Sequence, residues 1–150
     1  MRLAFGVKSE NLPPDMPKRL RTAIARVVLK NLKDAKEIAQ SMAPVVTGAT
    51  RAAIHVVHTK ENNYDAAVAE SESLNPGGIR FFSAENPPDP DGLEGYLYDP
   101  AVHAFGLEYG TAHREATPFI GPALEAVSEQ FLNDCNEALT SEFSKIAKKD

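Results

Sequence analysis

The sequence predicts an α+β domain, in which a small, mostly antiparallel sheet of about four strands is packed by two long helices, one near each end of the chain. Two observations support this fold class. Apolar residues recur every three or four positions over 18–43 and again after Pro122, as they do in amphipathic helices. Between these segments, shorter stretches alternate apolar and polar residues, as half-buried strands do. A length of 150 residues fits a single domain spanning 1–150.

The first helix is predicted over residues 18–43, after a short strand within residues 1–8. Its apolar stripe consists of Leu20, Ile24, Val28, Leu32, Ala35, Ala39 and Met42. At about 1.5 Å per residue this helix is roughly 39 Å long, which is long for a domain of this size. One end could therefore extend past the core toward a partner, or the helix could lie wholly along the sheet. The sequence leaves both arrangements open.

Strands are predicted in the middle of the chain by two-residue alternation. Residues 51–59 and 64–70 are expected to form a hairpin, because the short segment between them is rich in turn-forming residues. Residues 96–98 are expected to begin the last hairpin arm. Residues 102–109 are expected to form a strand, which ends at Gly110 because glycine supplies the backbone freedom for a tight turn.

The last helix is predicted to begin near Pro122 and to continue almost to the end of the chain. A proline is compatible with the first turn of a helix but not with its interior, because it lacks a backbone N–H. The expected buried stripe consists of Leu124, Val127, Phe131, Cys135, Ala138, Leu139, Phe143 and Ile146. Cys135 lies on this stripe and is therefore interpreted as a buried structural thiol.

Composition and charge argue against several classes of protein. The formal net charge of −5 argues against a protein whose main task is to grip nucleic acid through its phosphates. A single cysteine cannot form an intramolecular disulfide, and no apolar run approaches the roughly 20 residues of a membrane span. Because the start of the chain lacks the apolar core of a signal peptide, we expect the protein to be cytoplasmic where it is made.

Residues 71–96 interrupt the regular patterns with clustered proline, glycine, aspartate and asparagine. Loops of this length in a compact domain are usually functional or mobile. The segment has few apolar residues to offset the entropy of ordering it, so we expect most of it to be mobile in the free protein. Phe81 and Phe82 are an apolar pair within it. We expect them to contact a neighbouring subunit or partner after assembly; alternatively, they cap the domain's own core.

The chain shows no recognisable catalytic or metal-binding motif. His55 and His58 lie three residues apart on a predicted strand and therefore point to opposite faces. No carboxylate or cysteine pattern completes a zinc site around His103 or His113, and the acidic segment 89–94 lacks the spacing of a calcium-binding loop. Nucleophile-elbow, phosphate-loop and zinc-protease motifs are absent from the sequence. We therefore expect no metal, no cofactor and no enzymatic activity.

A distinctive pattern, called the signature segment below, occupies residues 108–124. It consists of Glu108-Tyr109-Gly110-Thr111, a short polar gap, and Pro118-Phe119-Ile120-Gly121-Pro122-Ala123-Leu124. A shorter upstream pattern consists of Ala43-Pro44-Val45-Val46-Thr47-Gly48, Arg51 and Ile54. Together they resemble a neck or minor tail-component family of long-tailed bacteriophages, whose small proteins help to join the DNA-filled head to the tail. The match departs at Thr50, where the family usually has a leucine.

The resemblance implies a structural virion protein of the head–tail junction, in the neck or in tail completion. Such a protein would belong to a homo-oligomeric ring, with six-fold symmetry expected, around DNA that passes nearby without sequence-specific binding. Its partners would be other junction and tail proteins, with no membrane involved. It would be found in the virion, and in the host cytoplasm during assembly. The alternatives are another ring protein of this junction, such as a tail terminator or head-completion stopper, and, less strongly, a small phage-encoded enzyme.

The residues that the resemblance singles out are expected to be structural rather than catalytic. They are Pro44, Thr47, Gly48, Glu108, Tyr109, Gly110, Thr111, Pro118, Phe119 and Pro122. Glu108 is the most informative charge among them. Its carboxylate could accept hydrogen bonds from the turn at Gly110 and Thr111, or it could approach the N-terminus of the last helix. The alternative is an exposed carboxylate at the end of a strand.

Overall fold

A computed structural model describes residues 2–43, 53–61, 64–74, 89–101 and 104–147. Within these residues the chain is α+β, as predicted. Its three strands are β1 (Arg2–Gly6), β2 (His55–Val57) and β3 (Glu94–Tyr98). Its five α-helices are α1 (Lys18–Met42), α2 (Tyr64–Leu74), α3 (Ala104–Tyr109), α4 (Ile120–Ala126) and α5 (Ser128–Ala147). None of the helices in this described part combines the length and the apolar character that a membrane span requires.

β3 is the central strand of a fully antiparallel sheet whose order is β1-β3-β2. Leu97 of β3 pairs with Leu3 of β1 and with Val56 of β2, so apolar side chains of all three strands share one face. This face packs against α1, α4 and α5 and forms the main core of the domain. The other face of the sheet carries Tyr98, which packs against Ala67 of α2 in a smaller cluster.

α1 agrees closely with the predicted first helix and lies along the core over most of its length. Its buried residues extend from Leu20 to Ala39, and Val28 and Leu32 in the middle have no solvent exposure. Of the two arrangements that the sequence leaves open, the structure therefore shows the one in which the helix packs on its own domain.

The predicted last helix is in fact two helices. α4 begins at Ile120, two residues earlier than predicted, and the chain leaves helical structure at Val127 before α5 begins. Pro122 is the third residue of α4. Because the first four N–H groups of a helix have no partner within it, the missing N–H of Pro122 removes no hydrogen bond from α4.

The predicted buried stripe of the last helix holds only over its first half. Val127 and Phe131 are buried, but Phe143 is 57% exposed. Glu142 instead faces α1, where it forms an ion pair with Arg19, and it forms a second ion pair with Lys145 of α5 itself. Glu142 follows Phe131 by eleven residues, or about three helical turns, and therefore lies on the buried face of α5, whereas Phe143 lies about a quarter of a turn away from it.

The predicted strand at 64–70 is wrong, because these residues belong to α2. Tyr64, Ala67 and Val68 are spaced by three and four residues and pack together against the sheet. A short alternating segment satisfies the helical period as well as the strand period. The alanines of this segment decide in favour of the helix, since alanine has the highest helix propensity.

The predicted strand at 102–109 is also wrong within its described residues, 104–109, which form α3. Ala104 and Leu107, three residues apart, are buried, whereas Phe105 is exposed. With these two segments helical, the described sheet has three strands rather than about four.

Both ends of the segment 71–96 have regular secondary structure, since its start belongs to α2 and its end to β3. Leu93, just before β3, is fully buried. Residues 75–88, and with them Phe81 and Phe82, lie outside the residues that the structure describes. The expected mobility of this segment and its expected contact with a partner therefore stay predictions.

Candidate functional site

The signature segment contributes to a local unit made of α3, a turn and the first residues of α4, called the Glu108 unit below. Gly110 ends α3 with a φ of +81°, a conformation that residues with a Cβ rarely adopt. Its N–H donates to the carbonyl of Gly106 at 2.8 Å. A Cβ at Gly110 would lie 3.1 Å from the backbone nitrogen of Ala116 and 3.3 Å from the carbonyl oxygen of Arg114. The chain therefore returns close to this glycine.

The turn after Gly110 brings the chain back onto α3. The N–H of Thr111 donates to the carbonyl of Arg114 at 2.9 Å, and the hydroxyl of Thr111 accepts the N–H of His113 at 3.2 Å. Three residues after Arg114, the N–H of Thr117 donates to the carbonyl of Leu107 at 2.8 Å. These bonds place the start of α4 beside the end of α3.

The side chain of Glu108 joins the two helices. Its Oε2 accepts the N–H groups of Phe119 at 2.7 Å and Ile120 at 2.9 Å, and its Oε1 accepts the N–H of Gly121 at 2.6 Å. Such N–H groups at a helix start have no partner inside the helix, and the helix dipole favours a negative charge there. Of the arrangements predicted from the sequence, the structure therefore shows the one in which Glu108 approaches the N-terminus of the predicted last helix, which here is the N-terminus of α4.

The Glu108 unit is closed to solvent on its inner side. Glu108 is only 6% exposed, and Phe119 and Ile120 have no exposure. A Cβ at Gly121 would lie 3.0 Å from Oε1 of Glu108, so a side chain there would press on the carboxylate. A hydrogen-bonded carboxylate thus lies within the main apolar core.

Three further residues of the signature, all before α4, lie on the outer side of this unit, whereas Ala123 and Leu124 are buried in the core. Tyr109 is 55% exposed and packs against Phe105, which is 56% exposed, with ring centroids 4.9 Å apart. Thr111 and Pro118 are also exposed. The signature therefore divides into buried residues that fix the unit and exposed residues on its outer side.

Pro44, Thr47 and Gly48 of the upstream pattern lie outside the described residues. The two ends of that pattern are described. Ala43 and Ile54 are both buried in the main core that also contains Phe119 and Ile120 of the Glu108 unit. The same core therefore holds residues from both patterns.

His58, a buried residue directly after β2, has a role that the sequence did not predict. Its Nδ1 accepts the N–H of Lys60 at 3.1 Å, and its Nε2 lies 2.7 Å from the carbonyl oxygen of Gly92. The carbonyl can only accept, so the ring is neutral with its proton on Nε2. Burial lowers the pKa of His58, in agreement with this neutral form.

Asp99, at the end of β3, is a second buried carboxylate that the sequence did not single out. Its Oδ1 accepts the N–H of Ala101 at 2.9 Å. Burial, assisted by the negative charge of Glu70, raises the pKa of Asp99 to about 6, although the hydrogen bond from Ala101 opposes this rise. Aspartate is common before proline in turns, so the sequence of this region carries no signal of burial.

A polar network between α1 and α5 was likewise missed. The fully buried Asn31 donates to the carbonyl of Val27 at 2.9 Å and to Asp134 at 3.1 Å, and it accepts from Gln130 at 3.0 Å. Lys30 also donates to Asp134, at 2.9 Å. A signal was present, because Asn31 lies next to Leu32 on the otherwise apolar side of α1.

Comparisons with known proteins add no relative, since no family model, curated protein or solved structure matches this chain. Among the described residues, no group of three or more histidine, cysteine, aspartate and glutamate side chains is placed to hold a metal ion.

Proposed function

We propose that the protein is a structural component of the head–tail junction of a long-tailed bacteriophage, acting in the neck or in tail completion as part of a ring around the DNA path. The proposal begins from the sequence resemblance. The observation that carries it further is the position of Glu108, whose carboxylate accepts three backbone N–H groups and so joins α3 to α4. A signature residue used in this way serves the shape of the protein rather than a reaction.

The exposed aromatic pair Phe105 and Tyr109 supports an assembly role. Two rings that are both more than half exposed contribute little to the stability of the monomer. Aromatic side chains are enriched in protein–protein interfaces, where burial in a complex recovers their apolar area. We therefore assign this pair to contact with a neighbouring subunit or another junction protein.

Deletion of the gene from its phage or prophage tests the proposal. We expect lysates of the deletion strain to contain DNA-filled heads and separate tails by electron microscopy, and a wild-type copy to restore joined particles. The virion neck should show a ring built from this chain, and the position of the ring separates a neck protein from a terminator or a stopper. Joined, infectious particles that contain no copy of the chain would contradict the proposal and leave the enzyme alternative.

Variants distinguish an effect on the stability of the fold from an effect on the proposed contact of the aromatic pair. A double variant Phe105→Ser and Tyr109→Ser should melt close to wild type but fail to restore joined particles, because it removes only exposed rings. Glu115→Ala, which changes an exposed residue of the neighbouring turn, is the matched control and should restore them. Full restoration by the double variant would show that these rings are not the contact.

A further inference from the structure

A positively charged groove lies between the first turns of α1 and the last turns of α5. It is an open depression of about 400 Å³, lined by Lys18, Arg19, Thr22, Arg26, Glu142 and Lys145. Four cationic side chains thus surround a single carboxylate, in a protein whose formal net charge is −5. The groove is therefore a local exception to the acidic character of the chain.

The carboxylate in this groove is held by two of the cations. Glu142 is 7% exposed and forms ion pairs with Arg19 and with Lys145. Desolvation opposes ionisation, but the hydrogen bonds from these two cations hold the pKa of Glu142 below its usual range. Neither Lys18 nor Arg26 forms an ion pair with any residue that the structure describes. The groove therefore keeps an excess of positive charge on its open side.

The position of these cations is unfavourable for the helix itself. The first turn of α1 contains Lys18, Arg19 and Arg21 and no acidic residue. The N-terminal end of a helix carries a partial positive charge, which repels cations. Lys18 therefore lies where the helix dipole disfavours a cation, and it has no ion-pair partner among the described residues. A residue placed in this way is expected to serve function rather than stability.

We propose that this groove binds the phosphate backbone of a DNA duplex without reading its sequence. Lys18 and Arg26 are eight residues apart, or about 12 Å along the helix axis, so the two cations can contact separate phosphates of one strand. Contacts from arginine and lysine to phosphate carry no sequence information. The inference goes beyond the proposed virion role and does not depend on it.

The lining of the groove distinguishes a duplex from other acidic ligands. The described residues that line it include no aromatic ring, and aromatic rings are what single-strand binding uses to stack bases. They include no large apolar side chain either, whereas the centre of a protein–protein interface is usually apolar. An acidic segment of a protein is therefore the less suitable ligand.

Fluorescence anisotropy with the full-length protein and a labelled duplex of about 20 base pairs tests this inference, at salt concentrations from about 20 to about 200 mM. We expect binding at low salt that is lost at high salt. The double variant Lys18→Gln and Arg26→Gln should weaken binding at least tenfold and reduce the slope of log K against log salt by about two. The control Lys8→Gln and Lys60→Gln removes the same charge from exposed positions elsewhere, and should stay within about twofold of wild type.

Several outcomes would overturn the inference. An equal loss in both double variants would mean that only net charge matters, and an absence of wild-type binding at low salt would exclude the site. Binding of polyglutamate but not of the duplex would assign the groove to an acidic protein partner. Thermal melting verifies that both variants are folded. Because this readout uses purified protein and DNA, its failure leaves the phage complementation result unaffected.

Discussion

Glu108 and Asp99 are both buried acidic residues in the same domain, but burial has different consequences for them. Glu108 accepts three N–H groups from the first turn of α4. Asp99 accepts the N–H of Ala101, and burial raises its pKa to about 6. The surroundings of Asp99 therefore favour its protonated form, whereas those of Glu108 offer several donors to a negative charge. We therefore expect the donors aimed at a buried carboxylate to decide whether the cost of burying its charge is offset.

The local structure explains this difference. Glu108 ends a short helix and faces the start of another, where several N–H groups point in one direction and the helix dipole adds to their effect. Asp99 follows a central strand, and the negative charge of Glu70 acts on it. We therefore expect loss of the carboxylate to destabilise the folded protein at Glu108 and to stabilise it at Asp99. Substitutions at these positions and at weaker contacts test this contrast.

Glu108→Ala should have the largest effect. It leaves three N–H groups at the start of α4 without their acceptor in a buried site, and the loss of charge-assisted hydrogen bonds together with the unpaired donors costs roughly 3 kcal/mol. Urea unfolding followed by circular dichroism measures this change in the free energy of unfolding. Glu115→Ala, at an exposed position nearby, is the control and should change stability little. Similar values for the two variants would show that Glu108 does not hold α4.

Asp99→Asn should stabilise the protein at pH 7 by up to about 3 kcal/mol, because a pKa difference of about two units corresponds to about 1.4 kcal/mol per unit. The pKa is raised from 3.8 to about 6 in the folded state, so the folded state binds more protons between these values. The Asp99 carboxyl group therefore contributes favourably to the free energy of unfolding below pH 4, and this contribution is lost as the pH rises through 6. The asparagine keeps an oxygen that can accept the N–H of Ala101.

Urea unfolding of the wild type and Asp99→Asn from pH 4 to pH 7 measures this difference. His55 and His58 have lowered pKa values because of burial, so both proteins should lose stability as the pH falls below about 6.5. Subtracting the two curves cancels this shared effect and isolates Asp99. A difference that does not grow with pH would contradict the assignment.

Gly110→Val should destabilise the fold by more than about 1 kcal/mol, since a β-branched residue is strained at a positive φ. The glycine has a φ of +81°, and a Cβ would also press on the backbone of Arg114 and Ala116. Gly110→Asn should cost less, because asparagine tolerates this conformation better. Thermal melting of the two variants checks the order. An unchanged melting temperature for the valine variant would mean that the turn does not need glycine to position Glu108.

Lys30→Ala should have the smallest effect, because it removes an exposed ion pair. Lys30 is bonded to Asp134 at 2.9 Å, but its side chain is 58% exposed. Solvent and salt screen such pairs. Melting at low and high salt should show a small difference from wild type that disappears at high salt. A loss as large as that of Glu108→Ala would show that ion pairs between α1 and α5, rather than buried donors, hold the domain.

The sequence predicts the long, periodic parts of this fold well. The apolar stripe of α1 continues over about seven turns, and a pattern of this length fits a helix but not a strand. The observed bounds of α1, Lys18–Met42, nearly equal the predicted bounds. The segments at 64–70 and 104–109 are too short to separate a two-residue period from a helical one. Their helices depend on packing against the sheet and on the contact between α3 and α4, which a local pattern does not contain.

In the candidate site, too, the sequence predicts features that depend on nearby residues and misses those that depend on distant ones. The sequence suggested Glu108 as a structural charge and Gly110 as the turn, but left the hydrogen-bond donors of Glu108 open, because they lie eleven to thirteen residues away. Asp99 and His58 gave no local signal, since the burial of each depends on distant parts of the chain. Asn31 did give one, as an amide beside the apolar stripe of α1.

A matched pair of substitutions gives the sharpest test of the contrast between Glu108 and Asp99. Glu108→Gln and Asp99→Asn make the same chemical change, from a carboxylate to an amide, at two buried positions of one domain. The free energy of unfolding of each, measured in urea at pH 7, should change in opposite directions: Glu108→Gln should destabilise the protein, because an amide places donors toward the N–H groups of α4, and Asp99→Asn should stabilise it. Changes of the same sign would contradict the claim that the three donors aimed at Glu108 offset a cost of burial that Asp99 retains.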